Sequence, residues 1–254
     1  MRPFILAETN WEAVKNTDFS VAILPWGATE AHNYHLPYAT DNYQNEWLVA
    51  ESARRAWEQN AKIVVLPNVP FGINTGQLDI SLCMNLNPST QYAILKDMVD
   101  VVQRAGIRKF VIFNGHGGNN FKTMIRELAI DFPEMFVCAV NWFQAGGKWE
   151  DYFDNLGDHA GELETSVMMH IQPELCRPLD TAGDGAARQW KIKGLREGWV
   201  TSQRQWTKVT ADTGVGDPSK STAEKGARFL ESCAQGLSDF FVELAAADPD
   251  DLYE

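Results

Sequence analysis

Four cysteines are all that this chain of 254 residues contains, and no two of them form a C-x-x-C pair. Cys83, Cys138, Cys176 and Cys233 are too scattered for a thiolate zinc site or a secreted disulfide framework, so reduced thiols in a cytoplasmic protein are expected. Long apolar runs are missing as well. The N-terminal stretch "MRPFILAETNWEAV" is too short for a signal-peptide core, and no run approaches the length that crosses a bilayer. Positive charge is scarce: 22 Lys and Arg stand against 34 Asp and Glu, a net charge of −12. Nucleic acid and membrane are therefore not expected as partners, since nucleic acid and anionic lipid both require a basic face. Internal repeats, low-complexity tracts and linkers are also absent. With 44% hydrophobic and 22% charged residues, the chain reads as one ordinary globular domain over residues 1–254.

What is present begins with four short apolar runs rich in Val, Ile and Phe: "VAILPWG" from Val21, "KIVVLPNV" from Lys62, "KFVIFNG" from Lys109 and "MFVCAVNW" from Met135. Each ends in turn chemistry and reads as a buried strand. Helical patterns lie between and after them. "NPSTQYAILKDMVDVVQRAG" has Asn87 as its expected N-cap, Pro88 at the first helical position, and a stripe of Leu95, Met98 and Val102. "NNFKTMIRELAIDFP" places Phe121, Met124, Leu128 and Phe132 on one face. "STAEKGARFLESCAQGLSDFFVEL" opens with a capping box from Ser221 to Glu224. Alternation of strand and helix predicts an α/β layered fold with a mainly parallel sheet. The stretch from about Leu179 to Pro218, which holds Trp190, Trp199 and Trp206, is the least regular. It either covers a site or meets another subunit.

Three polar clusters follow from this layout. "GATEAHNYHLPYATDN" comes directly after the first strand and gathers Glu30, His32, His35 and Asp41 with no Lys or Arg. Carboxylate and neutral imidazole suit divalent first-row cations. The plain alternative is a polar loop that only satisfies backbone groups. "FNGHGGNN" sets His116 among glycines after the third strand; no Lys or Thr follows, as a phosphate-binding P-loop would need. In open parallel sheets the ligand site lies beyond the carboxyl ends of the strands, so these two clusters share an edge. "GDHAGELETSVMMHIQPEL" is the third cluster. Asp158 is its expected N-cap, and Glu162 and Glu164 fall in its first turns. A helix dipole favours acids there regardless, yet two carboxylates and His159 within six residues exceed what capping needs. His170, beside the apolar stripe of the same helix, reads as a packed core histidine.

In their order, "GATEAHNYHLPYATD", "NGHGG" followed by Asn119, and "DHAGELETS" resemble the creatininase family of metal-dependent amidohydrolases. "TGVGDPSKSTAEKG" near the C-terminus is similar to a further segment of that family. The resemblance implies a three-layer α/β/α domain carrying two divalent metal ions per chain, either Zn, Mn or Fe. It implies that Glu30 and His116 bind one ion, that Asp41 bridges the two, and that His32 binds the second together with an acid. Creatininases proper carry that acid at the position of Gly118; other branches carry a Glu that matches Glu162. His159 is then the expected proton donor and Glu164 an orienting group, a role His35 could share. The implied activity is hydrolysis of a carbon–nitrogen bond, other than a peptide bond, in a small-molecule and sometimes cyclic amide. The implied assembly is a homo-oligomer, often a hexamer. Asn33 and Tyr34 replace the family's usual Gly-Pro, and "FGINTGQLDISLCM" replaces a His-containing loop ending in Pro-Gly-Thr, which leaves the substrate open. Two rival readings remain: a two-metal phosphoesterase, which would want Arg or Lys near its site, and a non-catalytic metal- or ligand-binding subunit.

Overall fold

All four apolar runs become strands in the computed structural model, which describes residues 2–253. In chain order the elements are α1 (Trp11–Lys15), β1 (Val21–Trp26), α2 (Thr40–Glu58), β2 (Ile63–Val65), α3 (Pro88–Arg104), β3 (Lys109–Asn114), α4 (Lys122–Asp131), β4 (Phe136–Asn141), α5 (Glu162–Ile171), the single-turn α6 (Lys193–Arg196) and α7 (Trp206–Val209), and α8 (Ala223–Ala246). The sheet order is β2-β1-β3-β4, and every pair is parallel. Trp26 pairs with Asn114, and Asn114 with Asn141, so three strands end level at their carboxyl edge.

Strand residues alternate between two cores, as a pleated sheet requires. Val21, Ile23, Val111 and Phe113 pack with α2, α5 and α8, whereas Ala22, Leu24, Trp26, Phe110 and Ile112 pack with α3 and α4. The result is the three-layer α/β/α arrangement. Strand order reverses direction between β1 and β3, which opens a crevice beyond their ends. Among the described residues, no helix is long and apolar enough to cross a membrane.

Two helix starts differ from expectation by a residue or more, each for a local reason. The cap of α8 is Thr222, whose Oγ1 accepts the Lys225 N–H; Ser221 instead donates to the Glu162 carbonyl. Helix α5 begins after Gly161 with no side-chain cap. Asp158 lies ahead of that start: its backbone N–H and that of His159 bond to the Val215 carbonyl, and its carboxylate pairs with Arg204. His170 is exposed rather than in the core, with its ring at the edge of Trp47.

Candidate metal centre

Four segments deliver side chains to the crevice. Glu30 and His32 lie in the turn after β1, Asp41 in the first turn of α2, His116 after β3, and His159 and Glu164 at the start of α5. All but Glu164 are buried, and its side chain is 21% exposed. Each imidazole is oriented by a backbone carbonyl. His116 Nε2 lies 3.1 Å from the Ile73 oxygen, His32 Nδ1 3.1 Å from the Glu30 oxygen, and His159 Nε2 2.8 Å from the Ala31 oxygen. A nitrogen that donates to a carbonyl leaves the lone pair of a neutral ring on the other nitrogen.

Those lone pairs all face carboxylates. His116 Nδ1 stands 2.9 Å from Glu30 Oε1 and 3.0 Å from Asp41 Oδ2. His32 Nε2 stands 3.0 Å from Asp41 Oδ1 and 3.9 Å from Glu164 Oε2. His159 Nδ1 is 3.8 Å from Glu30 Oε1. Asp41 thus turns one oxygen to each of two histidines. Glu30 Oε1 and Asp41 Oδ2 are buried and accept no hydrogen bond. Buried acceptors converging without a donor are costly, and a cation resolves the cost. Among the described residues, three groups have donor atoms close enough to share one ion: Glu30, Asp41 and His116; His32, Asp41 and Glu164; and Glu30, His32 and His159. The donor set therefore fits divalent metal ions.

The converging carboxylates also favour positive charge on the facing imidazoles. Burial alone would lower the His32 pKa, but Asp41 and then Glu164 and Glu30 push it up to about 10. His116 is raised well above its ordinary value for the same reason, against burial and through Glu30 and Asp41. Burial would raise Glu30 and Asp41, yet the facing imidazoles hold both below the usual carboxylate range. Glu164 is pushed up by burial, only partly offset by His32 and His159.

Glu162, expected as a metal ligand, is not among these donors. Two residues apart on an α-helix lie about 200° apart around its axis, so Glu162 and Glu164 cannot both face the crevice. Glu162 turns to α8, where its carboxylate takes the Lys225 ammonium on Oε1 and the Asn155 N–H on Oε2. Glu164, expected as an orienting group, stands with His32 and Asp41 instead. Gly118 has no room for an acid. A Cβ there would lie 2.4 Å from His116 Nε2 and 2.6 Å from the Ile73 oxygen, in the middle of their hydrogen bond. His35 sits apart from the donors with Nε2 2.8 Å from Thr165 Oγ1, and burial, then the nearby His32, lower its pKa to about 4.

A cavity of about 290 Å³ opens over the donors, lined by Glu30, His116, His159 and Glu164 on its floor. Its roof is the 202–206 segment. Trp206 packs edge-on against the His159 ring at 4.7 Å, and the Arg204 guanidinium lies over the Trp206 indole while pairing with Asp158 at 2.9 Å. Part of the irregular stretch therefore covers the site, while Trp199 remains 72% exposed. A second, more aromatic cavity of about 150 Å³ shares Gly117, Asp158, His159 and Glu164 with the first and is walled by Trp142, Phe143 and Trp149. The sequence did not single out Gln77 or Arg204, because they reach the crevice only through tertiary folding, whereas Trp206 belongs to the stretch expected either to cover a site or to meet another subunit.

Buried carboxylates and imidazoles at the switch point of a parallel sheet are the equipment of a metal-ion hydrolase. The chain belongs to the creatininase family, described as creatinine amidohydrolase, whose pattern matches residues 7–241. The chain is similar to a creatinine-amidohydrolase-like protein from Bacteroides fragilis NCTC 9343: its crystal structure has a TM-score of 0.92 and 43% identity, with all of both chains covered. It is 27% identical to the mycofactocin precursor peptide peptidase of Mycobacterium tuberculosis (strain ATCC 25618 / H37Rv) over 82% of this chain and 79% of that protein. It is 23% identical to the creatinine amidohydrolase of Pseudomonas putida over 86% and 87%. Creatininase structures described as manganese and Zn-Zn forms share the fold, with TM-scores of 0.75 at 22% identity over 96% of this chain and 99% of theirs.

Proposed function

We propose that this chain hydrolyses the carbon–nitrogen bond of a small-molecule amide, linear or cyclic, with two divalent cations of Zn, Mn or Fe. The observation that carries the reading is Asp41, whose two oxygens face two different carbonyl-anchored histidines. Glu30 and His116 would complete one set of ligands around it, and His32 and Glu164 the other. When bound, such a cation pair polarises a carbonyl and lowers the pKa of water from about 16 towards 7.

The chain's own groups supply the rest. His159 keeps its Nε2 hydrogen on the Ala31 carbonyl, which leaves Nδ1 open to the cavity as a base. It takes a proton there from the attacking water and returns it to the leaving nitrogen, while the Ala31 carbonyl steadies the transient imidazolium. Trp206 shields this ring from bulk water. The cavity's size suits a small amide. Its one permanent cation, Arg204, is already paired with Asp158, which disfavours a phosphoesterase that must clamp phosphoryl oxygens. Exposed Trp199 favours a homo-oligomer, and the resemblance points to a hexamer; a monomeric mass by light scattering at micromolar concentration rules this out.

The test is turnover by the metal-loaded protein on cyclic amides, linear amides, short peptides and phosphate esters. Hydrolysis of amides alone is expected. Turnover confined to phosphate esters overturns the proposal, and no turnover of any class favours a non-catalytic binding subunit.

A further inference from the structure

The loop between β2 and α3 reaches Glu30. Gln77 closes a short turn, Thr75–Gln77, and is 2% exposed. Its Nε2 donates to Glu30 Oε2, the oxygen opposite the one that faces the imidazoles. Its Oε1 accepts the Cys83 thiol hydrogen at 3.1 Å. The Cys83 sulfur in turn accepts the Ala31 N–H at 3.2 Å. The contacts close a ring: Glu30 and Ala31 on one side, Gln77 and Cys83 on the other.

This ring decides a geometry that would otherwise be loose. The terminal torsion of a glutamate is broad, so the carboxylate alone does not choose which oxygen faces the cluster. A carboxamide can also present either end to it. With the amide oxygen tied to a thiol donor, only the amino end is left for Glu30. Oε2 is satisfied, and Oε1 stays bare beside His116 and Asp41. Cys83 has no ligand atom in the three groups that could hold a metal ion.

We infer that Gln77 is a positioning residue for Glu30, holding Oε1 toward the cation side, and that Cys83 sets the amide orientation that makes this possible. The inference rests on Glu30 acting as a ligand, as proposed above. Partners of metal ligands typically change metal affinity 10–100-fold, which sets the expected effect.

The experiment strips the protein with chelator and titrates it with Co²⁺, reading affinity by competition and geometry by the visible absorption spectrum. Gln77→Leu should weaken one ion about 10–100-fold and change its spectrum, with the other ion unaffected. Cys83→Ala should weaken the same ion by less, and Cys83→Ser, which keeps a donor, should restore it. Melting in EDTA checks that each variant is folded. Wild-type affinity and spectrum in Gln77→Leu overturn the inference. So does equal loss of both ions with a lower melting temperature in EDTA, which marks a merely structural residue. Glu30→Ala separates the two claims. If it keeps both ions, the ligand reading fails and takes this one with it; if it loses one while Gln77→Leu does not, only the positioning role fails.

Discussion

Replacing Glu162 with Gln should cost stability and leave metal content alone. Glu162 is fully buried and accepts from both Lys225 and the Asn155 N–H. Breaking a fully buried ion pair costs about 3–5 kcal/mol. Here Lys225 keeps Asp154 at 2.8 Å and the Lys220 carbonyl at 3.0 Å, so its charge is not stranded. What remains is one buried partner left without an acceptor, about 1–3 kcal/mol. Taking about 2 kcal/mol, the melting temperature of a chain this size should fall by about 4–8 °C. Thermal melts in EDTA measure the fall, and metal analysis after dialysis against excess ion measures occupancy. Glu164→Gln should show the reverse: one ion lost, with a smaller change in the metal-free melt. If Glu162→Gln instead loses an ion at an unchanged melting temperature, the division of labour between the two acids is wrong.

Asp41→Ala should deplete both ions and abolish turnover, since both halves of the cluster use its oxygens; two tightly held ions in that variant would refute the bridge. Gly118→Glu should weaken metal binding rather than supply the family's missing acid, because its Cβ intrudes on the bond between His116 and Ile73; a gain in affinity would show the loop can yield. Metal-free protein should lose stability between about pH 7 and 10. The His32 pKa is raised from 6.5 to about 10, so its contribution is complete below about pH 6.5 and gone once the pH passes the folded value. Denaturant titrations with EDTA across that window check this, and a flat profile would refute it.

Much of the frame was legible because it rests on local pattern. The four strands declared themselves as apolar runs, and two of three polar clusters were placed on one edge by sheet topology alone. Helix α2 was not legible. Its first turns bury Thr40, Asp41, Asn42, Gln44 and Asn45 against the crevice, so no apolar stripe marks where it starts. The choice between Glu162 and Glu164 was equally hidden, since helical spacing says they diverge but not which one meets α8. Gln77 had no signal beyond the unusual loop that holds it. Its partners, Glu30 and Cys83, are set by how one loop closes over another.

The donors are spread unevenly along the chain. Glu30, Asp41 and His116, with the Ile73 carbonyl that orients His116, all come from the chain up to the turn after β3. The partner of His32 and Asp41, Glu164, comes only with α5, and α5 is fastened through Glu162 to Lys225 on α8, the last helix. The residues of one half of the centre thus all lie within the first 116 of 254 residues, and Glu164, which completes the other half, lies further on. We expect the ions to load in that order, with the first pinning α2 to β3 before the closing helices dock. Refolding in limiting metal would show it, as one ion captured early and the second only as the native far-ultraviolet signal completes.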